Sequence, residues 1–484
     1  MMLTLADLFQ TLSKAHPEGA ERIPIPQVTI DSRQAREGSL FVALQGENLD
    51  GHEFIFDALA RGATVILAEA RGGRGLGPNV HLIDTISQGV AGLQPSPPPL
   101  PVVFIVESSL RALQQLAAFY RRRFKCKVVG VTGSVGKSST KELIAAVLRQ
   151  RFATLKSEGN LNNEIGLPLT LLQLNEAHER AVFEMGMYAL GEITTLCAIA
   201  QPRIGVVTNV GSVHLERLGT IERIAQAKAE LIEQLPNDGY AILNGDDPRV
   251  RAMKEQTRAR VFSYGLDPHC DLWADEIASF GLEGIAFVLH RGDEHLHVRI
   301  PLLGRHSVHT ALAAASVGLV ENLAWDEILR GLRDVAAQLR LITVPAEKGA
   351  TILDDTYNAS PASSLAALNL LAELDGRKLA VLGDMLELGE EEWRGHQIVG
   401  GRAAQIVDVL IAVGARGKWI GQAARDAGLA AERVFFAADN PQAIGILREV
   451  TRAGDLILIK GSRGMQMEEI VNALARANGE KGGH

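Results

Sequence analysis

The sequence predicts a three-domain α/β protein. It divides into a small α/β N-terminal domain over 1–106, a central phosphate-loop domain on a parallel sheet over 107–336, and a C-terminal Rossmann-like domain over 337–484. Three observations predict this. At roughly 150 residues per domain, 484 residues make about three. Short apolar runs bounded by turns recur with helical stretches between them, the rhythm of parallel sheets. The 48 glycines suit many strand-to-helix turns. A 46% hydrophobic composition lets each domain bury a core and excludes disorder as the dominant state.

In the first domain, IPQVTI and SLFVAL read as strands and EFIFDALARG as a helix. The stiff run Pro95-Ser96-Pro97-Pro98-Pro99-Leu100-Pro101 reads as a loop before a last strand, VVFIVE. In the second domain, CKVVGV is a buried strand, followed by a glycine turn and a helix over SSTKELIAAVLRQ. Leu143, Ile144, Val147 and Leu148 share one face of that helix. RAVFEMG, RIGVVTNVG and GYAILNGD continue the inner strands. VFSYGL, GIAFVLH and HLHVRIPL alternate and are expected to lie antiparallel at one side. In the third domain, GATILDDT, KLAVLGDM, DVLIAVG, RVFFAAD and DLILIKG are the strands of a doubly wound sheet.

A formal charge of −8 gives no basic face for nucleic acid. The short run Arg121-Arg122-Arg123-Phe124-Lys125 reads as a solvated helix end. Three widely spaced cysteines, Cys126, Cys197 and Cys270, support neither a disulfide framework nor a zinc site and suit a reducing cytosol. No secretory signal is read at the N-terminus, and no run of about 18 apolar residues predicts a membrane span, so a cytoplasmic protein is expected.

The most specific motif is Gly130-Val131-Thr132-Gly133-Ser134-Val135-Gly136-Lys137-Ser138-Ser139. Its spacing departs from the common phosphate-loop form, because Gly133 stands only three residues before Gly136. The strand before it and the helix after it are nonetheless the right context. Glycines let backbone N–H groups curl around a phosphate, and the helix N-terminus adds partial positive charge. Lys137 can reach between β- and γ-phosphates, and the Ser138 hydroxyl can ligate Mg²⁺.

Beyond the loop, Glu184 ends a strand, where a carboxylate can hold a metal. His214 follows another strand of the same edge. Lys228, taken alone, is an exposed helix lysine. The cluster Asn160, Asn162 and Asn163 can make a turn or grip a polar substrate.

Together these pieces resemble the Mur ligase superfamily, ATP-dependent amide-forming ligases of peptidoglycan synthesis. The resemblance runs from about Val28 to Glu469. It is carried by TIDSRQAREGSLFVALQGENLDGHEF, GVTGSVGKSSTKE, GNLNNEIGLPLTLL, VTNVGSVHLERLGTIERIAQAKAE, DDTYNASPASSLAALNLL, LAVLGDMLELG and IKGSRGMQMEE. The Asp-Asp-x-Tyr-Asn-Ala and Leu-Gly-Asp-Met segments are those of the branch that joins D-alanyl-D-alanine to UDP-N-acetylmuramoyl-tripeptide.

The resemblance implies that Gly133, Ser134, Val135, Gly136, Lys137, Ser138 and Ser139 hold the ATP phosphates, and that Ser138 takes a first Mg²⁺. It implies Glu184 as a Mg²⁺ ligand with His214 nearby, His214 also being a candidate base for the amine. Lys228 matches a lysine carbamoylated by CO₂, which supports a second metal and reverses its bland reading. Arg340 is implied to contact nucleotide phosphate, and Asp355, Tyr357 and Asn358 to complete the ATP site on domain closure. Asp31, Ser32, Arg33, Gly46 and Asn48 are implied near the uridine diphosphate, and Asn160, Asn162 and Asn163 beside the muramoyl-peptide arm.

The chain departs from the family's usual residues at Ser307 and Thr310, where asparagines are common, and at Ser360, Leu339 and Met187-Tyr188. A monomer is expected. The competing readings are a folylpolyglutamate- or cyanophycin-type ligase of the same superfamily, and a nucleotide-gated binding protein.

Overall fold

A computed structural model describes residues 2–46, 49–73, 75–86, 96, 98–211, 215–334 and 342–475. The chain forms two compact units. The first comprises Met1–Gly130, Phe152–Gly186 and Glu192–Arg203; the second comprises Val131–Arg151, Met187–Gly191 and Ile204–His484.

The first unit contains β1 (Val28–Thr29), β2 (Leu40–Val42), β3 (Val65–Ala68), β4 (His81–Asp84) and β5 (Val102–Ile105), paired in the order β1-β2-β3-β5-β4. Every pairing is parallel, with Val28 opposite Leu40, Phe41 opposite Ile66 and Ile66 opposite Val103. The strands of a parallel sheet are covered on both faces, which is why Leu40, Phe41 and Val42 are all buried. Phe41, Ile66 and Val103 pack with Ile55 and Ala58 of the helix Ile55–Ala60. Elsewhere in this unit Phe9 of the helix Leu5–Leu12 meets Phe104 edge to face at 5.1 Å. Val102 opens β5 directly after the proline run, of which only Ser96 and residues 98–101 are described.

β6 (Lys127–Thr132) starts in this unit and ends in the second, and the first unit also holds β7 (Thr154–Lys156) and β8 (Arg180–Glu184), with Lys156 opposite Val182 in a parallel pair. Here the basic run departs from its expected role. Arg121 is buried, and its guanidinium donates to the carbonyls of Ala200, Phe124 and Cys126. It satisfies backbone oxygens at a helix end, which a fully solvated side chain would leave to water.

The second unit contains β9 (Ile204–Val207), β10 (Tyr240–Asn244), β11 (Arg260–Gly265), β12 (Leu272–Ser279), β13 (Ile285–Arg291) and β14 (Glu294–Ile300), neighbours in that order. Only the β12-β13 and β13-β14 pairs are antiparallel. The segment VFSYGL, expected to be antiparallel, forms β11 and runs parallel to both neighbours. Burial along it grades from exposed at Arg260 to buried at Gly265, and the residue pattern carries no information on direction. The unit then builds β15 (Ile342–Pro345), β16 (Thr351–Asp354), β17 (Lys378–Gly383), β18 (Val409–Val413), β19 (Val434–Ala437) and β20 (Leu456–Lys460), in the order β15-β16-β20-β17-β18-β19. All these pairs are parallel except the first, and β15 is an added strand that the pattern did not announce.

The helix Lys137–Leu148 is buried almost throughout, and the helix Trp325–Leu332 lies against it. Gly331 makes this approach possible: a Cβ there would sit 2.4 Å from Val147 Cα and 2.9 Å from the Ala146 carbonyl. Backbone cannot give way as a flexible side chain does. Gly331→Ala is therefore expected to lower stability by about 1–3 kcal/mol through overpacking, read as a drop in the urea midpoint with an unchanged m-value. Among the described residues, no helix is long and apolar enough to cross a membrane.

Candidate active site

In the second unit the chain leaves β6 at Thr132, turns through Gly133 to Gly136 and enters the helix at Lys137. Gly133 is required by its φ of +147° and by crowding, since a Cβ there would fall 1.9 Å from Thr208 Oγ1. Gly136, at φ +83°, makes the left-handed turn that starts the helix.

The loop is pinned from the end of β9. Ser134 N donates to the Asn209 carbonyl at 2.9 Å, and Val135 N donates to Asn209 Oδ1 at 2.9 Å. Asn209 Nδ2 and Thr208 Oγ1 both donate to the Val135 carbonyl, at 2.9 and 2.8 Å. The Ser134 hydroxyl bridges the N–H and the carbonyl of Gly211. These bonds fix the shape of the loop; because the Ser134 and Val135 amides are used in them, an anion would meet the turn at Gly136 and the N-terminus of the helix it opens. Neither Thr208 nor Asn209 was singled out from the sequence. Their signal was a polar pair closing the apolar run IGVV.

Lys137 is half-buried and donates to the Gly133 carbonyl at 2.9 Å. Ser138 is buried at the first turn of the helix. Lys228, read in isolation as a surface lysine, is 1% exposed. It lies on the helix Ile221–Glu233, capped by Thr220, on the same buried stripe as Ile224 and Leu231. It makes no ion pair among the described residues. Burial first, and the nearby charge of Lys137 second, hold its ammonium well below the ordinary lysine range. Burying a lysine without an ion partner costs stability, which makes Lys228 a candidate functional residue.

In the first unit, Glu184 is 1% exposed at the end of β8. Its Oε1 accepts from Asn162 Nδ2 at 2.8 Å, and its backbone N–H donates to Ser157 Oγ. Asn163 Oδ1 accepts from Gly166 N at 2.8 Å and so opens the helix Gly166–Leu171. Asn160 is exposed. The asparagine cluster is thus a structured turn that aims Glu184 and leaves Asn160 to solvent.

The residues expected near a uridine diphosphate are also in the first unit. Asp31 Oδ1 accepts from Arg33 N at 3.0 Å, and the Asp31–Arg33 ion pair is 2.7 Å. The hydrogen bond from the Arg33 side chain holds the Asp31 carboxyl below its usual range. Ser32 is buried between them. Gly46 N donates to Leu49 O at 2.9 Å, and Gly51 N donates to Leu44 O at 2.8 Å. His52 Nδ1 meets Asp50 at 2.6 Å and its Nε2 accepts from Glu69 N.

The C-terminal ends of β16 and β20 make a further cluster in the second unit. Lys460 is 2% exposed and pairs with Asp355 at 2.6 Å while donating to the Asn358 carbonyl at 2.9 Å. Tyr357 lies half-buried between these partners in sequence. Lys460 was not singled out, although a lone cation ending the run LILI is unusual for a buried parallel strand. Removing it takes from Asp355 the cation it pairs with, at a position only 2% exposed. Lys460→Ala is expected to cost about 3–5 kcal/mol, and chemical denaturation beside Lys460→Ala/Asp355→Ala measures how much the pair recovers. On the helix Ser307–Val320, Ser307 Oγ donates to Leu303 O, and His309 Nε2 meets Asp246 at 2.7 Å. His214, Arg340 and Asn48 lie outside the described residues, as does Leu339. Among the described residues no three histidine, cysteine or carboxylate side chains form a metal-binding cluster.

A glycine loop feeding a helix at the end of a parallel strand, with a lysine and a hydroxyl at the first turn, defines a phosphate-loop nucleotide-binding protein. Three domain matches narrow the class: the Mur ligase family catalytic domain over residues 24–121, the Mur ligase middle domain over 131–318, and the Mur ligase glutamate ligase domain over 339–463. The chain belongs to the Mur ligase family. It is 37% identical to the UDP-N-acetylmuramoyl-tripeptide--D-alanyl-D-alanine ligase of Bacillus subtilis, with 94% of each chain covered. The Escherichia coli ligase of the same name is 34% identical, with 98% of each covered. Among solved structures, MurF from Acinetobacter baumannii superposes with a TM-score of 0.81 at 28% identity, covering 97% of this chain and 98% of that one.

Proposed function

We propose that this protein is an ATP-dependent ligase that joins D-alanyl-D-alanine to UDP-N-acetylmuramoyl-tripeptide. The observation that carries this reading is the pinned phosphate loop with the buried amine of Lys228 beside Lys137, in a chain that matches such ligases over nearly its whole length. ATP is the nucleotide; a MurF ligase structure from Thermotoga maritima, 30% identical with a TM-score of 0.75, is described in complex with ADP.

The reaction has two steps. The tripeptide carboxylate attacks the γ-phosphorus of ATP, ADP leaves, and an acyl phosphate forms. The amine of the dipeptide then attacks the acyl carbon, loses a proton, and expels phosphate through a tetrahedral intermediate. The loop amides and Lys137 hold charge on the transferring phosphoryl group. Arg340 adds a phosphate contact, and Asp355, Tyr357 and Asn358 complete the nucleotide site from the domain at 337–484. The domain at 1–106 holds the uridine diphosphate through Asp31, Ser32, Arg33, Gly46 and Asn48. His214 is the candidate base, and Asn160, Asn162 and Asn163 flank the peptide arm.

Mg²⁺ prefers hard oxygens, and the Ser138 hydroxyl and the Glu184 carboxylate are each a donor of that kind. The ion would neutralise phosphate charge there. Carbamoylation fits Lys228 for the same reason. A neutral amine adds to CO₂ and loses a proton, which replaces a cation disfavoured by Lys137 with an anion favoured by it and by a metal. The protein acts in the cytoplasm as a monomer.

Phosphate release from ATP and UDP-N-acetylmuramoyl-tripeptide, compared across amine donors, tests the assignment. D-Alanyl-D-alanine should stimulate it, while glutamate and single alanine should not. Stimulation by glutamate alone would move the chain to a folylpolyglutamate-type activity. ATP turnover indifferent to every donor would make it a nucleotide-gated binding protein.

A further inference from the structure

None of the groups on the solvent face of the β12-β13-β14 sheet takes part in the ligation chemistry, yet three of them are built into one array. Trp273, His290 and His295 face one another across three neighbouring strands. The next residues, Ala274 and Leu289, point the other way and are buried in the core, so the array lies on the outer face. The His290 ring stacks on Trp273, with centroids 3.8 Å apart and planes within 8°. Its Nε2 meets Asp275 Oδ1 at 2.7 Å. Its Nδ1 lies 3.0 Å from Nδ1 of His295.

We propose that His290 and His295 form a binding site for a late first-row divalent cation such as Zn²⁺, with Asp275 as the group that orients His290. A carboxylate only accepts hydrogen bonds, so Nε2 of His290 carries the hydrogen toward Asp275. In the neutral ring this leaves the lone pair on Nδ1, the nitrogen that lies beside His295. A carboxylate behind a histidine is the usual support of a metal-bound imidazole, fixing tautomer and ring orientation together.

The spacing also fits. Two nitrogens each about 2.0–2.1 Å from one ion, at angles between square and tetrahedral, are about 2.9–3.4 Å apart, and 3.0 Å falls within that interval. In the metal-free protein the same distance is an N–H···N hydrogen bond. Binding replaces its hydrogen, and His295 then carries its own on Nε2. Imidazole donors select zinc, copper or nickel over magnesium or calcium, which separates this site from the Mg²⁺ chemistry of the nucleotide. Two protein nitrogens leave the other positions to water. The ion would clip β14, the last strand in its sheet, to β13, adding a cross-link where a sheet edge is weakest.

Calorimetric titration of the full chain with zinc chloride, without nucleotide or magnesium, tests this. His295 is exposed, so His295→Ala leaves the fold intact. The wild-type isotherm should contain a micromolar site that His295→Ala lacks, and Asp275→Asn should weaken that site about 10–100-fold. Zinc should also raise the thermal midpoint of the wild type more than that of His295→Ala. Equal zinc stoichiometry and affinity in wild type and His295→Ala would overturn the proposal, as would wild-type binding no tighter than millimolar.

Discussion

Lys137→Ala is expected to reduce the ligation rate by at least about 10³-fold while the protein stays folded. The side chain is half-buried and donates to the carbonyls of Gly133 and Ser134, in a loop already held by Thr208, Asn209 and the Ser134 hydroxyl. Its removal deletes a charge at the point where the phosphoryl group develops its own, in a site that water cannot screen well. A 10³-fold loss corresponds to about 4 kcal/mol of transition-state stabilisation. The loss should therefore appear in kcat, with a thermal midpoint close to the wild-type value. The same substitution removes a cation facing Lys228 and should move the Lys228 pKa back toward the ordinary lysine range. A Lys137→Ala enzyme that still forms product within tenfold of the wild-type rate would remove the loop lysine from the mechanism.

Lys228 yields the second large effect, with opposite signs for activity and stability. Wild-type enzyme in CO₂-depleted buffer should lose most of its activity and regain it on addition of bicarbonate. Lys228→Ala should lose activity by a comparable factor and regain none. The stability argument follows from linkage. The native pKa is depressed below the 10.5 of an ordinary lysine, so below that pH the unfolded chain binds a proton that the native protein resists. The resulting penalty is absent above 10.5, grows as pH falls through it, and is complete below the native value. In CO₂-depleted buffer at neutral pH, Lys228→Met should thus be more stable than wild type by about 0.5–2 kcal/mol while inactive, a trade of stability for function. Denaturant curves at pH 7 and above 10.5 should show that difference shrinking at the higher pH. A destabilised Lys228→Met, or a Lys228→Ala enzyme retaining a tenth of wild-type activity, would contradict the role.

The phosphate loop was legible because its chemistry is local. Glycines, lysine and serine sit in one run between a strand and a helix, and no partner from elsewhere is needed to recognise them. Most strands were legible for a similar reason, since burial on both faces writes an uninterrupted apolar run such as VLIAV. What failed was long-range. Arg121 read as solvated because its partners, the carbonyls of Ala200 and Cys126, are brought to it by the fold. The direction of β11 depends on which strands it meets, and its own residues do not specify them. Lys228 is an intermediate case. Its identity argued for the surface, while its four-residue offset from Ile224 placed it on the buried stripe. Only the family resemblance gave that position a chemical role; the structure adds that it is buried. The roles of Asn162 and Asn163 likewise needed coordinates, because a turn and a substrate clamp use the same amides.

The central claim is that this protein activates a carboxylate with ATP and captures it with a dipeptide amine. Mass spectrometry of a reaction containing the purified protein, UDP-N-acetylmuramoyl-tripeptide, D-alanyl-D-alanine, ATP and Mg²⁺ tests it most directly. A UDP-linked pentapeptide should form in step with ADP and phosphate and be missing when any one reactant is withheld. ATP consumed with the tripeptide recovered unextended would contradict it.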